Sequence, residues 1–281
     1  EMSASLVGSE MCIRDSSTAD IQPGEEVSCY DLLAALLIPS SCEAANIIAL
    51  NVSDSITEFT DLMNEKAEKL GMENTHFSNA HGLWAQQNYS SCKDMATLCE
   101  YAISKYQVFR DIVCLPSYHM ASTSYHSDGT DIYNTNLMLD SMTDYYYSYA
   151  KGIKTGTLDS AGRCLASYAE YEGTTYLIVT MGAPMEKLEE DVKKGEEDPD
   201  SIYGGDNVYY NILDHISLYK WAFSSLVATD FVDKNSEVRD VKVSYGDGID
   251  YANLKPANGF TRLWPVAVSY THLRAHETSA H

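Results

Sequence analysis

The sequence predicts an α/β fold in which helices are followed by a sheet. Two observations support this prediction. Apolar residues recur with helical spacing between about residues 30 and 105, and segments of alternating polarity follow between about residues 149 and 183. A chain of 281 residues is long enough for one large or two medium-sized domains, each with its own core.

Four helices are predicted before the sheet. The first runs from Tyr30 to Ile38 and ends at Pro39, and the second runs from Glu43 to Leu50. The third lies between Ser55 and Gly71, and the fourth begins at Ser91. The third is the best marked, because a capping-box pair of Ser55 and Glu58 precedes an apolar face and Gly71 stands at the C-terminal cap. We expect Ile56, Phe59, Leu62, Met63 and Leu70 to line one face of this helix.

Three strands are predicted to form an antiparallel sheet. They cover residues 149–155, 164–171 and 175–183, and a hairpin-like turn at Glu172-Gly173 joins the last two. The charge-dense stretch from Glu186 to Asp200 is expected to be a solvated loop. A helix follows over residues 212–226, and residues 237–256, with a Gly-Asp-Gly turn, indicate the beginning of a second, all-β domain.

Composition excludes some classes of partner. The 41 acidic residues against 19 basic residues give a net charge of −22, which argues against binding to nucleic acid or to an anionic membrane surface. No apolar run is long enough to span a membrane. The seven cysteines show no metal-ligand spacing, and we expect most of them to be buried as small apolar residues.

The two ends do not follow the pattern of the interior. Residues 1–17 and 267–281 resemble translated sequencing-adapter sequence, and the alternative is a pair of disordered natural tails. His272, His276 and His281 are therefore not interpreted as a metal site. Between these ends we expect a main domain over residues 18–230 and the beginning of the β domain over residues 235–266.

Lys154, Thr155 and Gly156 are the candidate site residues that stand out first. They lie at the end of a predicted strand and match a Lys-Thr-Gly motif of serine acyl-transfer enzymes. A lysine ammonium and a threonine hydroxyl on an edge strand are suited to hold a peptide that ends in a carboxylate. Such a site also needs a nucleophilic serine followed three residues later by a lysine.

The interior resembles the low-molecular-weight penicillin-binding proteins that act as D-alanyl-D-alanine carboxypeptidases. The resemblance is carried by residues 23–46, 70–98, 152–184 and 218–223, in that order along the chain. It implies the β-lactamase/transpeptidase-like fold, with an antiparallel sheet flanked by helices. It also implies removal of the terminal D-alanine from peptidoglycan stem peptides and reaction with β-lactam antibiotics, without a metal or cofactor.

The resemblance assigns the three site motifs of this family. Lys154, Thr155 and Gly156 form one, and Ser40 and Cys42 occupy the serine and asparagine places of a Ser-x-Asn motif. Cysteine departs from the family pattern, and we expect it to align substrate less well, because a thiol donates and accepts hydrogen bonds only weakly. From the residues alone, Ser40 fits a helix N-cap after Pro39 equally well.

The Ser-x-x-Lys motif of the family is expected before Ser40, where only the adapter-like segment stands. We therefore expect that this chain is a fragment that begins after the nucleophile, and that a signal peptide was lost with it. With 30 serines and 13 lysines in the chain, one or two such matches are expected by chance, so three interior matches prove nothing. Each also has another explanation in a cap, a strand or a helix: Ser90/Lys93, Ser148/Lys151 and Ser217/Lys220.

Two further residues and two alternative functions remain. His81 is expected in a structural loop near the site, and Arg163 is expected to be a surface arginine at the start of a strand, although it is also a candidate for holding a carboxylate. The alternatives are a β-lactamase on the same fold and a catalytically silent peptidoglycan-binding protein. We expect an exported protein of the cell envelope, with possible membrane anchoring through a lost C-terminus.

Overall fold

A computed structural model describes residues 2–3, 18–232, 239–242 and 251–265 of this protein. The chain divides into two compact units, Glu1–Ser217 and Leu218–His281, and each is described by itself. None of the helices in the described residues has both the length and the apolar character needed to cross a membrane. The two adapter-like ends lie almost entirely outside the described residues, as do His272, His276 and His281.

Five α-helices precede the main sheet: α1 (Cys29–Leu37), α2 (Cys42–Val52), α3 (Ile56–Lys69), α4 (Cys92–Lys105) and α5 (Gln107–Val113). The first four helices begin in the same way, at a serine whose side chain accepts a hydrogen bond from a backbone N–H in the first turn. These N-cap serines are Ser28, Ser41, Ser55 and Ser91. The helix predictions are confirmed to within one or two residues at most ends.

The two ends of helix α3 form largely as its capping residues predict. The side chain of Ser55 accepts from Glu58 N at 3.2 Å, but the Glu58 carboxylate accepts from Asp54 N at 3.1 Å, so the predicted reciprocal box forms only in part. Gly71 has φ +74°, as a helix-ending glycine should, and its N–H donates to Glu68 O. On the predicted apolar face, Leu62 is 48% exposed and the other four residues are half-buried, so this face is only partly covered.

The main sheet has the order β5–β6–β7, formed by Ala150–Leu158, Gly162–Tyr171 and Thr174–Ala183. Both pairs are antiparallel, with Thr155 opposite Leu165 and Ala169 opposite Tyr176. Glu172 and Gly173 have φ +48° and +78°, the conformation that a two-residue hairpin turn requires. The predicted strand order is confirmed. Among the described strands, β5 pairs with β6 on one side and lies at the edge of this sheet.

Both faces of this sheet are covered. On one face, Ile153, Ala166 and Tyr168 pack with Cys99 of α4 and Val113 of α5. On the other, Leu165 and Ala150 pack with Met138, Tyr145 and Ile212, the last from α7 (Tyr210–Ser225). A third cluster joins α1 and α2 to the hairpin of β3 (Ser117–Met120) and β4 (Thr130–Tyr133), which the sequence did not reveal. These clusters fix β5 against the helices that precede it.

Two predictions, one for a loop and one for the cysteines, were wrong. The stretch predicted as a solvated loop contains helix α6 (Glu189–Glu197), whose first turn carries three acidic residues that favour a helix N-terminus. Among the six described cysteines only Cys42 and Cys99 are buried, whereas Cys29 and Cys92 are exposed, so the expectation that most are buried was wrong.

The remaining short strands pair with one another. Met2–Ser3 (β1) pairs with Glu26–Val27 (β2) near the start of the first unit. In the second unit, β8 (Leu226–Val232) pairs with β11 (Phe260–Pro265), and β9 (Arg239–Lys242) pairs with β10 (Tyr251–Leu254). The alternating segment is therefore β-structured where it is described, while its Gly-Asp-Gly turn lies outside the described residues.

Candidate active site

A groove of about 650 Å³ lies along β5 in the first unit. Five segments that are far apart in sequence form its walls: the link between α1 and α2, the loop at residues 81–83, residues 135–137, the β5–β6 hairpin, and residues 209–212 at the start of α7. Its lining includes Ser40, Cys42, His81, Thr135, Thr155, Gly156, Thr157, Arg163, Cys164, Tyr209 and Asn211. Four of the five predicted site residues therefore meet in one cavity, and the fifth, Lys154, is adjacent in β5.

Ser40 is not a helix cap. Ser41 is the N-cap of α2, with its hydroxyl accepting from Ala44 N at 3.0 Å, so the alternative interpretation of Ser40 was wrong. Ser40 itself has φ +71°, a left-handed conformation that non-glycine residues seldom adopt and that often occurs at functional sites. This conformation lets α1 end and α2 begin within a few residues, and it leaves the Ser40 side chain to line the groove.

Cys42 is the first residue of α2 and is 3% exposed. It lies close enough to Lys154 for the two to interact electrostatically, and a thiolate there would raise the pKa of the lysine. Cysteine at this position thus contacts the same groove as Ser40, as the motif assignment requires. Its role in binding substrate stays a prediction.

Lys154 projects from β5 into a desolvated position. Its Nζ donates a hydrogen bond to Thr155 O at 3.1 Å, and burial lowers the pKa of the ammonium to about 8. Loss of water around a charged group disfavours the charged form, which is the physical cause of this shift. Lys154 is therefore a cation that an incoming anion would stabilise, and one that titrates close to neutral pH.

Thr155 has a partner that the sequence did not indicate. Its hydroxyl lies 2.6 Å from the hydroxyl of Thr135, and Thr135 N donates to Ile38 O at 3.4 Å. Thr135 thus connects β5 to the link that carries Ser40. The signal available in the sequence was the Asn134-Thr-Asn136 turn, in which both asparagine side chains accept from backbone N–H groups.

Arg163 is buried rather than on the surface, so that prediction was wrong. It is 6% exposed, its Nη2 donates to Asn207 Oδ1 at 3.1 Å, and its guanidinium lies 4.2 Å from the centre of the Tyr209 ring. Arginine stacks on aromatic rings because its cation is planar and weakly hydrated. A strand start is usually exposed, but here the aromatic residue before α7 covers it.

The matching family model decides the relationship. The model of the D-alanyl-D-alanine carboxypeptidases matches residues 2–185. The chain belongs to this family. The match contains the Ser40 link, the Asn134–Asn136 turn and the Lys154 strand, whereas the groove-lining residues 209–212 lie beyond it.

Individual members of the D-alanyl-D-alanine carboxypeptidase family are similar over the same region. DacF of Bacillus subtilis (strain 168) is 30% identical over 191 residues, which cover 66% of this chain and 44% of that protein. DacC of Escherichia coli (strain K12) is 31% identical over 186 residues, which cover 63% of this chain and 41% of that protein. This chain thus spans less than half the length of these two relatives.

Solved structures of related enzymes agree in fold. A serine-to-alanine variant of the Streptomyces K15 DD-transpeptidase is 30% identical and has a TM-score of 0.57, covering 62% of this chain and 68% of that one. Penicillin binding protein 5 from Haemophilus influenzae covers 92% of this chain and 65% of its own, with a TM-score of 0.64 at 22% identity. The α/β transpeptidase-like fold predicted from the sequence is confirmed.

The charge of the groove differs from that of the whole chain. Among the described residues that line it there is no aspartate or glutamate, although the chain has a net charge of −22. Arg163 lines the groove and Lys154 lies beside it. Within the described ranges, no cluster of His, Cys, Asp and Glu is arranged to hold a metal ion. The groove is therefore suited to an anionic organic ligand.

His81 lies at the groove, whereas the serines of the interior Ser-x-x-Lys matches do not. His81 lines the groove, and its Nδ1 accepts from Leu83 N at 3.2 Å, so the loop that contains it is ordered by its own hydrogen bonds. The three serines of the interior Ser-x-x-Lys matches do not line the groove: Ser90, Ser148 and Ser217. Ser90 instead shares a hydrogen bond with Thr75 at 2.9 Å, at the start of α4.

Proposed function

We propose that the protein carrying this sequence is a serine-type D-Ala-D-Ala carboxypeptidase, which removes the terminal D-alanine from peptidoglycan stem peptides. The main supporting observation is that Ser40 and Cys42 line one groove with Thr155 and Gly156, in a chain that belongs to this family. Lys154 completes the proposed set of site residues.

In this proposal the peptide binds along β5. An extended peptide adds a strand at the edge of β5, with backbone hydrogen bonds providing affinity. The ammonium of Lys154 and the hydroxyl of Thr155 hold the terminal carboxylate through charge-assisted hydrogen bonds. The desolvated position of Lys154 supports this assignment, because a buried ammonium gains most from a neighbouring anion.

Acyl transfer follows from this placement. The hydroxyl oxygen of an activated serine bonds to the penultimate carbonyl carbon, the C–N bond to the terminal D-alanine breaks, and the leaving amine takes the proton. Backbone N–H groups stabilise the oxyanion, and water then hydrolyses the ester. Ser40 is the hydroxyl in the groove that we assign to proton transfer toward the leaving amine. The attacking serine belongs to the family's Ser-x-x-Lys motif, which none of the groove-lining residues supplies.

Further partners and location follow from the family. The stem peptide is the proposed substrate, and β-lactam antibiotics are proposed to acylate the same serine. Proteins that act on peptidoglycan work outside the cytoplasm, so we propose an exported protein of the cell envelope, with membrane attachment through a segment beyond this chain.

The test separates binding from acylation. We expect no labelling of this chain by a fluorescent penicillin, because loss of an activated serine removes roughly 10⁶ of rate in a well-studied serine protease. Fusion of a relative's Ser-x-x-Lys segment before Thr18 should restore labelling and release of D-alanine. Stoichiometric labelling of the unfused chain at Ser40, Ser90 or Ser148 would show that the nucleophile has been misplaced.

A further inference from the structure

The groove has a second polar end beyond Thr157. Arg163 and Asn211 line it there, and they are 6% and 3% exposed. Arg163 Nε and Asn211 Oδ1 have no hydrogen-bond partner. No described carboxylate forms an ion pair with the guanidinium of Arg163, whose nearest polar partner is the neutral Asn207.

Such an arrangement is costly without a ligand. A buried donor on a charged group that lacks an acceptor carries the full desolvation penalty of that group. The amide of Asn211 adds to the same place, since a half-turn of the side chain presents either its oxygen or its NH₂ group. Arg163 and Asn211 line the same groove, and the free Nε–H of Arg163 together with a turned Asn211 amide can supply the hydrogen-bond donors that a carboxylate accepts.

The register of the sheet relates this end of the groove to the proposed substrate. Thr157 lies directly opposite Arg163 in the β5–β6 pair, so their side chains share one face. Thr155 lies two residues earlier in β5 and faces the same side, about 6.8 Å along the strand. A peptide that pairs antiparallel with β5 and has its carboxylate at Thr155 would place its third residue from the end opposite Thr157.

We propose that Arg163 and Asn211 form a second anion subsite, which binds a side-chain carboxylate on the third residue from the C-terminus of the peptide. This inference rests on the proposed function, because it uses the position of the terminal carboxylate at Thr155. It adds a specificity element: the protein selects peptides with two carboxylates over peptides with one. The absence of acidic residues from the described lining of the groove favours the same ligands.

Two matched peptides test this subsite on the full chain. N-acetyl-L-glutamyl-D-alanyl-D-alanine and N-acetyl-L-glutaminyl-D-alanyl-D-alanine differ only in a carboxylate against an amide. Their affinities are measured by titration calorimetry at pH 7 and low ionic strength. We expect the glutamyl peptide to bind about ten-fold more tightly, which is the typical gain from charge-assisted hydrogen bonds over neutral ones.

Variants then assign the preference to its residues. Arg163→Gln should bring the ratio of the two affinities to about one, and Asn211→Asp should abolish or reverse the preference by placing a negative charge beside the ligand. Thr155→Val should weaken both peptides together and keep their ratio. Circular dichroism and thermal melting of each variant show that the fold is retained.

Each outcome has a distinct meaning. Equal affinities of the two peptides for the unmodified chain would overturn the second subsite and leave the proposed function standing. A preference that survives in Arg163→Gln would show that the carboxylate binds elsewhere, which also overturns it. If neither peptide binds, or if Thr155→Val binds both as well as before, the proposed function itself fails and the subsite fails with it.

Discussion

The hydroxyls of Thr135 and Thr155 lie 2.6 Å apart and connect the turn after β4 to the middle of β5. Thr135 N also donates to Ile38 O, so hydrogen bonds of this one residue connect the Ser40 link to the Lys154 strand. Thr135 is thus placed to position Thr155 without belonging to any of the family motifs.

Removal of the Thr135 hydroxyl should weaken peptide binding. In Thr135→Val the Thr155 hydroxyl loses its partner and its fixed orientation, which costs about 1 kcal/mol, or roughly five-fold in affinity for N-acetyl-D-alanyl-D-alanine. Titration calorimetry measures this change. Thr135→Ser retains the hydroxyl and should bind as the unmodified chain does. Equal loss in both variants would mean that Thr135 acts through packing alone.

Binding of a terminal carboxylate should depend on pH through Lys154. Because the pKa of Lys154 is lowered to about 8, the ammonium is present below that pH and is lost above it. Affinity for N-acetyl-D-alanyl-D-alanine should therefore be high at pH 6.5 and fall as pH rises through about 8. Lys154→Gln should bind weakly at every pH.

Lys151 provides a matched control on the same strand. Its side chain is not among the proposed site residues, so Lys151→Gln should keep the decline in affinity near pH 8. A flat profile in the unmodified chain would show that the Lys154 ammonium does not hold the carboxylate.

Cys42→Asn should keep or raise turnover in a protein restored with a Ser-x-x-Lys segment. An amide donates to a substrate carbonyl and accepts from a lysine more strongly than a thiol does. The site is 3% exposed, so the extra atoms must fit into the wall of the groove. A large loss of D-alanine release would reveal a role for the thiol.

A hydrogen-bonded cluster around the buried Glu25, in the first unit, should make stability depend on pH. Burial disfavours ionisation of Glu25, but hydrogen bonds from Gln22 N, Thr123 and His126 outweigh it and lower its pKa below the ordinary 4.5. The hydrogen bond to Glu25 in turn raises the pKa of His126 above 6.5. The stabilising contribution of His126 is full below 6.5 and is lost as pH rises through its folded value, and that of Glu25 is full above 4.5 and is lost as pH falls.

The pair should therefore stabilise the fold most between pH 4.5 and 6.5. His126→Gln should lower the melting temperature by about 2–4 °C at pH 5.5 and by less at pH 9, as followed by circular dichroism. His119→Gln is the control, since His119 pairs with Asp131 in an exposed position on the same hairpin. Equal effects of the two substitutions at pH 5.5 would contradict a special role for the Glu25–His126 pair.

Local signals allowed most of the secondary structure to be predicted. Serine caps, Gly71 and the Glu172-Gly173 turn act within a few residues of their own position, so their effects can be read from the sequence directly. The resemblance to the family brought Ser40 and Cys42 together with the Lys-Thr-Gly strand, which no local pattern indicates.

The errors have a common physical cause. Arg163 was expected at the surface, but Tyr209 covers it, and this contact joins residues 46 positions apart. Thr135 was overlooked because its partners, Ile38 and Thr155, are distant in sequence. Ser40 and Ser41 offer the same cap chemistry, and only the left-handed backbone of Ser40 decides which of them caps α2. Contacts between distant segments determine these features.

The turn at Glu172 and Gly173 is a suitable site for attaching a label or a linker to this protein. It joins the ends of β6 and β7 that lie farthest from the β5–β6 hairpin, and nothing surrounds the position where a Gly173 side chain would begin. Thr155 in the groove lies opposite Leu165, seven residues before Glu172, so the turn is about 23 Å from that point along the strand. A fluorophore, an affinity tag or a surface linker inserted at this point would immobilise or report on the protein while leaving the groove open to peptides.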